Sequence, residues 1–176
     1  KDVKYIHNQN YVDIEQVGSL MLARNEMLED VIVSYGDIIF DEMVLNQLLQ
    51  FDGELVLATE PNWEESYQIR PNNPPMFSDF VAIKDEQIIR FFKNSKEFLG
   101  KCDIVEYIGL IQKFEDLEKN HVGKFHYASS FKKAKIIDLL EELHQSNVEI
   151  KIQNVSGNWC EIDTKQDLEI AKKMFN

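Results

Sequence analysis

Two aspartates of the sequence stand where a predicted strand ends, and their carboxylates are candidates for chemistry. Asp37 follows the apolar run Val31–Tyr35 and a glycine, which places it at the C-terminal edge of a predicted sheet, where open α/β sheets bind ligands. Asp163 closes the short run that begins at Trp159 and precedes a predicted helix. A Gly-Asp turn or a helix cap would explain each residue alone. Together they could reach one divalent ion, since Mg²⁺ is normally held by one or two carboxylates with waters and substrate phosphates.

Other residue types that carry chemistry form no recognisable pattern. No GxGxxG or GxxxxGK phosphate loop occurs. Four scattered histidines lack an HxxxH spacing and favour surface or structural roles: His7, His121, His126 and His144. Trp63 and Trp159 are typical of core or loop anchors rather than ligand walls. The basic run Lys132–Lys135 favours a solvated face, with anion binding as the alternative.

The composition limits the classes of ligand. The chain has 176 residues with 31 acidic and 19 basic side chains, a formal net charge of −12. This length predicts one domain, and a hydrophobic share of 44% is ample for its core. The acid excess argues against nucleic-acid binding, because phosphate backbones are held by clustered Lys and Arg. A small phosphate ligand would therefore need a locally basic pocket or a bound cation.

The same sequence predicts no membrane span, because no apolar run approaches the ~20 residues that a bilayer requires. Cys102 and Cys160 show no metal-binding spacing. They favour free thiols in a reducing compartment, and we expect a cytoplasmic protein.

The elements that must position the two aspartates alternate between strand and helix. Strand Val31–Tyr35, helix Asp41–Phe51 and strand Glu54–Thr59 form a unit typical of parallel sheets joined by right-handed crossovers. The pattern therefore predicts an α/β domain with a largely parallel sheet and one antiparallel hairpin. The remaining predictions are a helix from Ser19 to Leu28, a polar loop over 62–78, strands Phe80–Lys84, Ile88–Lys93, Ile104–Ile111 and Val148–Val155, helices Phe114–Lys119 and Phe131–Gln145, and a last helix capped by Thr164 and Asp167.

Several segments, in order along the chain, carry a family resemblance: Val17–Leu20, Val31–Phe40, Asn62–Trp63, Val105–Leu110 and Gly157–Thr164. The sequence resembles the nucleotidyltransferase superfamily, which joins a nucleoside triphosphate to a phosphorylated small molecule. It is most similar to cytidylyltransferase-like domains of phosphonate metabolism, often fused to phosphoenolpyruvate mutase, and more distantly to phosphocholine cytidylyltransferases. The resemblance implies a Rossmann-like, GT-A-like three-layer sandwich with a mostly parallel sheet.

The resemblance also implies a reaction and its partners. Asp37 and Asp163 would hold Mg²⁺, and a phosphate or phosphonate oxygen of the acceptor would attack the α-phosphorus of CTP, or of another nucleoside triphosphate, and expel pyrophosphate. Lys93 would face the acceptor phosphate as a catalytic residue. The matching positions imply cofactor binding at Ser19, Tyr35 and Gly36, and substrate binding at Glu106, Asp138 and Trp63.

Two departures from the family pattern leave other functions open. Ile14 and Glu15 stand where family members have Thr-Asn, and a carboxylate there would repel a triphosphate. The family's N-terminal glycine-rich loop is absent from the sequence, so we expect residues 1–176 to form a single nucleotidyltransferase-like domain without that unit, inactive on its own and joined to further chain or another metabolic domain. The alternatives are a non-catalytic nucleotide- or effector-binding relic and a sugar-1-phosphate nucleotidyltransferase.

Overall fold

A computed structural model of the chain describes residues 3–27, 29–70, 78–93, 103–113 and 133–176. The predicted helix Phe114–Lys119, the start of the predicted helix Phe131–Gln145, and Leu28, Cys102, His121 and His126 lie outside these ranges. The described helices are α1 (Gln16–Leu22), α2 (Glu42–Leu49), α3 (Trp63–Gln68), α4 (Ile136–Gln145) and α5 (Lys165–Met174), with a short 3₁₀ turn at Arg24–Glu26. The strands are β1 (Val31–Ser34), β2 (Ile38–Phe40), β3 (Leu55–Glu60), β4 (Asp79–Lys84), β5 (Gln87–Lys93), β6 (Asp103–Lys113), β7 (Ile150–Asn154) and β8 (Trp159–Glu161).

Six of these strands form one mixed sheet in the order β5-β4-β6-β3-β7, with β1 paired to the end of β6. The predicted α/β fold is confirmed, but its sheet is not mostly parallel. Only β3 and β7 form a parallel pair among the described strands, whereas β6 runs antiparallel to β1, β3 and β4. The crossover through α2 does leave β1 and β3 pointing the same way. The long strand β6 lies between them in the sheet. This position cannot be predicted from the order of the strands along the sequence.

Helices cover both faces of the sheet, as a three-layer sandwich requires. The strand β3 alternates between the two cores because successive side chains point to opposite faces. Leu55 and Leu57 pack in the core that contains α1 and α4, while Val56 and Ala58 pack against α2. All four side chains are buried. A third cluster, centred on Phe80, lies beside α3.

Helix ends differ from the prediction at α1 and agree at α5. Helix α1 begins at Gln16 rather than at Ser19, and the hydroxyl of Ser19 donates within the helix to the carbonyl of Glu15. At α5, Thr164 accepts from the amide of Asp167, whose carboxylate accepts in return from the amide of Thr164. The predicted capping box is confirmed.

The sequence pattern did not predict helix α3. The predicted polar loop over 62–78 begins as helix α3, and residues 71–77 are not described. Strands β2 and β8 form a separate two-stranded sheet, in which Ile38 pairs with Glu161 and Phe40 with Trp159. None of the helices in the described ranges is long and apolar enough to cross a bilayer.

Candidate metal and substrate site

Three carboxylates converge at one end of the small β2–β8 sheet. Asp37 directly precedes β2, Glu161 is the last residue of β8, and Asp163 follows two positions later. The amide of Ile162 donates to the carbonyl of Asp37 over 2.8 Å, which ties the two segments together beyond the ladder. One carboxylate oxygen from each acid lies within 4.8 Å of those of the other two. The structure therefore brings together the two aspartates singled out in the sequence.

Glu161 is the member of this carboxylate cluster that the sequence analysis did not select. It lies within a strand and has none of the turn signals that drew attention to Asp37 and Asp163. The available signal was its spacing from Asp163, since residues two apart in extended chain face the same side. Burial raises the pKa of Glu161 to about 7, and the nearby charge of Asp163 adds to the shift.

The donor chemistry of the carboxylate cluster fits a divalent cation. Mg²⁺ prefers hard oxygen ligands and is bound through a few carboxylates. Three carboxylates this close also repel one another, and a cation between them relieves that repulsion. Asp37 and Asp163 are exposed and Glu161 is half-buried, so the cluster is open to a substrate.

A cavity of about 150 Å³ lies beside the carboxylate cluster. Among the described lining residues the wall is strongly acidic, with four carboxyl side chains against the single amine of Lys135. The lining residues include Tyr35, Asp37, Ser78, Asp79, Glu106, Tyr107, Lys135, Trp159 and Glu161. Of the predicted site residues, Asp37, Tyr35 and Glu106 thus share one cavity.

Glu106 forms the most deeply buried acidic part of the wall, with only 2% of its surface exposed. Its Oε1 accepts a hydrogen bond from the hydroxyl of Tyr67 at 2.5 Å, and that hydroxyl also contacts Ser78. Its Oε2 has no hydrogen-bond partner among the described residues. Burial raises the pKa of Glu106 to about 7, although the hydrogen bond from Tyr67 acts in the opposite direction. An orphaned oxygen of this kind can accept a hydrogen bond from a ligand.

Asp79 and two tyrosines complete another part of the wall. Burial raises the pKa of Asp79 to about 6, while the positive charges of Lys93 and Lys135 oppose the shift. The hydroxyl of Tyr35 lies 3.5 Å from Oδ2 of Asp79, and its ring packs edge-on against Tyr107 with centroids 5.9 Å apart. These contacts fix the orientation of the Tyr35 ring at the cavity.

Lys93 and Asp138, predicted as separate catalytic and substrate-binding residues, contact each other. Lys93 Nζ lies 2.7 Å from Oδ1 of Asp138, and both side chains are more than a third exposed. Neither side chain lines the cavity, but Lys93 is the β-ladder partner of Asp79, which does. The pair therefore lies next to the cavity rather than in its wall.

Three other predicted residues lie away from the cavity wall. Ser19 is on the surface of α1, bonded to Glu15 and Asn8. Trp63 Nε1 donates to the carbonyl of Ile104 at 3.1 Å, and its indole packs on Phe80 at 4.9 Å. This placement is that of a core anchor and does not support a substrate wall. Gly36 precedes Asp37 without lining the cavity.

One further residue was missed because nothing in the sequence marks it. Arg70 follows α3 and is 4% exposed. Its Nε donates to Asp167 at 3.0 Å, and its Nη2 donates to the backbone carbonyl of Glu161 at 2.9 Å. Burial alone would lower the pKa of Arg70, but the hydrogen bond to Asp167 and neighbouring negative charge carry it above its ordinary value. A single arginine in a polar stretch gives no pattern from which these contacts could be predicted.

Comparison with known proteins finds similarity to a curated protein and to solved structures. No family model matches the chain. The curated CTP:phosphoglutamine cytidylyltransferase of Campylobacter jejuni subsp. jejuni serotype O:2 is 26% identical over 180 residues, which cover 93% of this chain and 69% of that protein.

Two solved structures share the fold. The inositol-1-phosphate CTP transferase of T. maritima superposes with a TM-score of 0.69 at 15% identity, covering 95% of this chain and 64% of that one. The CTP:phosphocholine cytidylyltransferase of Streptococcus pneumoniae gives a TM-score of 0.58 at 13% identity, covering 96% of this chain and 67% of that one. The chain thus spans about two thirds of the length of these structural relatives.

The fold and the relatives together define the class of protein. The solved structures share the fold of nucleotidyltransferases, and the curated relative extends the likeness to sequence, so the predicted resemblance to the nucleotidyltransferase superfamily is confirmed. Among these enzymes, the chain is similar to cytidylyltransferases, as its sequence motifs indicated.

Proposed function

We propose that this chain supplies the metal site and the acceptor cavity of a Mg²⁺-dependent cytidylyltransferase. The reaction would join CTP to a small phosphate ester or phosphonate. A bond forms between an acceptor phosphate oxygen and the α-phosphorus of CTP, and the bond from that phosphorus to the bridging oxygen of the β-phosphate breaks, releasing pyrophosphate. The observation that carries the proposal is the carboxylate cluster of Asp37, Glu161 and Asp163 beside an acidic cavity.

The proposed reaction requires alignment of the two reactants and neutralisation of the triphosphate charge, and it requires no covalent intermediate. An acceptor phosphate oxygen is already anionic at neutral pH, so no side chain has to remove a proton from it. Asp37, Glu161 and Asp163 would hold the cation, which when bound neutralises triphosphate charge. Lys135 supplies a positive group in the lining of the acidic cavity. Holding both reactants in line then accounts for most of the rate.

The cavity favours an acceptor that carries nitrogen. Its acidic wall would repel the rest of a purely anionic molecule, and Oε2 of Glu106 is a buried acceptor without a donor. An amine or amide N–H would supply that donor. The name of the relative from Campylobacter jejuni includes phosphoglutamine, which has such groups. Aminoethylphosphonate-like and phosphocholine-like acceptors also carry nitrogen. We therefore place the acceptor in the class of phosphorylated nitrogen compounds.

Two alternatives each have one observation in their favour. The fold also resembles a putative glucose-1-phosphate thymidylyltransferase from Bacillus anthracis, with a TM-score of 0.67 at 15% identity, which favours a sugar-1-phosphate acceptor. Glu15, a residue that departs from the family pattern and whose carboxylate would repel a triphosphate, stands at the start of α1, which favours the effector-binding form of a non-catalytic nucleotide- or effector-binding relic. An assay of turnover and binding together separates all three.

The test is pyrophosphate release by the complete protein that contains this domain, with Mg²⁺, each nucleoside triphosphate, and a panel of phosphorylated nitrogen compounds and sugar 1-phosphates. We expect turnover with CTP and a nitrogen-containing acceptor. Asp37→Asn and Asp163→Asn should each lower the rate by about 100-fold or more, since loss of a metal ligand removes several kcal/mol of transition-state stabilisation.

The matched control is Asp85→Asn, in the β4–β5 turn at the opposite end of β4 from Asp79. Asp85 has a φ of 50°, a conformation that asparagine also adopts, and the variant should keep the parent rate. Wild-type turnover by Asp37→Asn would contradict the metal assignment. CTP binding in calorimetry without pyrophosphate release under any condition would favour the non-catalytic alternative.

A further inference from the structure

The buried guanidinium of Arg70 joins two segments that flank the carboxylate cluster. Its Nη2 donates to the carbonyl oxygen of Glu161 at 2.9 Å and lies 3.9 Å from Oε2 of the same residue. Its Nε donates to Oδ1 of Asp167 at 3.0 Å. One planar group therefore binds the end of β8 and the first turn of α5 at the same time, which suits the fixed fork of an arginine.

Asp167 in turn contacts Thr164, which is next to the carboxylate cluster. It is fully buried, and its second oxygen, Oδ2, accepts from both the amide and the hydroxyl of Thr164, each at 2.8 Å. Thr164 is the residue after Asp163. The short stretch that contains two of the three cluster carboxylates is thus held at Glu161 by Arg70 and just beyond Asp163 by the Thr164–Asp167 capping box.

These contacts of Arg70 and Asp167 would oppose the charge repulsion within the carboxylate cluster. Three carboxylates whose oxygens lie within 4.8 Å of one another tend to move apart when no cation is present. Glu161 and Asp163 lie on a strand end and a connection, which are easily displaced. A buried ion pair is not in itself a strong source of stability, because desolvation offsets most of its Coulomb energy. Its geometry, which fixes two backbone segments, is the feature that needs an explanation.

We propose that Arg70, together with Asp167, is a positioning residue that pre-organises Glu161 and Asp163 for cation binding. This inference rests on the proposed function, because it takes the carboxylate cluster as the cation site. In this role Arg70 and Asp167 would act through Glu161 and Asp163 and would not themselves be ligands of the cation. Groups that orient metal ligands in this indirect way typically change metal affinity 10- to 100-fold when they are replaced.

The test measures Mn²⁺ affinity directly, from the electron paramagnetic resonance signal of free Mn²⁺ titrated with the protein, and so does not depend on turnover. Arg70→Met combined with Asp167→Asn removes the ion pair without leaving a buried charge, and the asparagine oxygen can still accept from Thr164. We expect the Kd for Mn²⁺ to rise by about tenfold. Arg70→Lys keeps the charge but cannot reach both segments, and it should raise the Kd by a smaller factor. Lys172→Met, which removes an equally paired but exposed lysine on α5, should leave the Kd unchanged.

Asp37→Asn separates this inference from the proposed function. If Asp37→Asn loses Mn²⁺ binding while the double variant and Arg70→Lys bind Mn²⁺ as the parent does, the positioning role is wrong and the metal site stands. If Asp37→Asn itself binds like the parent, the metal site is wrong. Circular dichroism melting confirms that each variant is folded at the titration temperature, and Arg70→Lys decides the question where the double variant does not fold. In turnover, a positioning role raises the Mg²⁺ concentration required, and kcat recovers at saturating Mg²⁺.

Discussion

Glu106 combines a role in the cavity with a cost to the folded state. Its side chain is buried, with 2% exposed, and it accepts from the hydroxyl of Tyr67, while Oε2 has no partner among the described residues. Burying a partly satisfied carboxylate is unfavourable, and the pKa of Glu106 therefore rises from 4.5 to about 7. A ligand that donates to Oε2 would remove part of that cost.

The raised pKa of Glu106 predicts how stability depends on pH. Between about pH 4.5 and 7 the folded state binds more protons at this site than the unfolded state, so the free energy of unfolding falls as pH rises through this window. Glu106→Gln keeps an oxygen for Tyr67 and cannot ionise. We expect it to flatten the fall and to stabilise the protein at pH 8 by up to ~3 kcal/mol, since each pKa unit corresponds to about 1.4 kcal/mol.

Urea unfolding at pH 5 and pH 8 measures this effect, with the exposed Glu149→Gln as control. Asp79 and Glu161 also have raised pKa values, so the slope should decrease rather than disappear. A Glu106→Gln variant with the same pH slope as the parent would show that the buried carboxyl does not carry the expected cost.

At the scale of secondary-structure elements, β6 determines how closely the segment of Asp37 approaches the sheet. Gly109 in β6 has a φ of +73°, and its carbonyl accepts from the amide of Tyr35 at 3.1 Å. A Cβ atom on Gly109 would lie 2.3 Å from Cδ1 of Ile38 and 2.7 Å from the ring of Tyr35. Only glycine permits both the conformation and the contact. The position of Asp37, between Tyr35 and Ile38, therefore depends on this residue.

Gly109→Ala should displace the Tyr35–Ile38 segment. We expect a loss of about 2–4 kcal/mol in the free energy of unfolding, from left-handed backbone strain and overpacking combined. The KM for the acceptor should also rise, because Tyr35 lines the cavity. Urea unfolding gives the first quantity and pyrophosphate release the second.

The control for stability is Gly36→Ala, because a Cβ atom at Gly36 has no heavy atom within 4 Å. Its free energy of unfolding should stay close to that of the parent. If Gly109→Ala unfolds at the same urea concentration as Gly36→Ala, the close approach at β6 is not a constraint on the fold.

The elements also show which parts of the fold and site could be predicted from the sequence. Asp37 and Asp163 were predictable because each follows a strand at a local signal, a glycine or a helix cap. The antiparallel insertion of β6 was not, since pairing partners distant in sequence leave no local pattern. Arg70 reaches residues more than ninety positions away along the chain, Glu161 and Asp167. Contacts of that range depend on tertiary packing alone.

For the whole molecule, the net charge of −12 and a phosphate-transfer function are compatible only through local compensation. The carboxylate cluster and the cavity concentrate negative charge where an anionic nucleotide is proposed to bind. A divalent cation at the cluster reverses the local field without any change in the acidic surface. The chain spans about two thirds of the length of the structural relatives, and its sequence contains no glycine-rich phosphate loop.

The cation site can be observed directly in crystals of the protein grown with Mn²⁺ and CTP, by anomalous diffraction at the manganese edge. A peak within about 2.5 Å of carboxylate oxygens of Asp37 and Asp163, close to ordinary coordination distances for such cations, is the predicted result. The peak should be absent in crystals of Asp37→Asn. Manganese bound elsewhere, with no peak among Asp37, Glu161 and Asp163, would contradict the proposed metal-dependent transfer at this site.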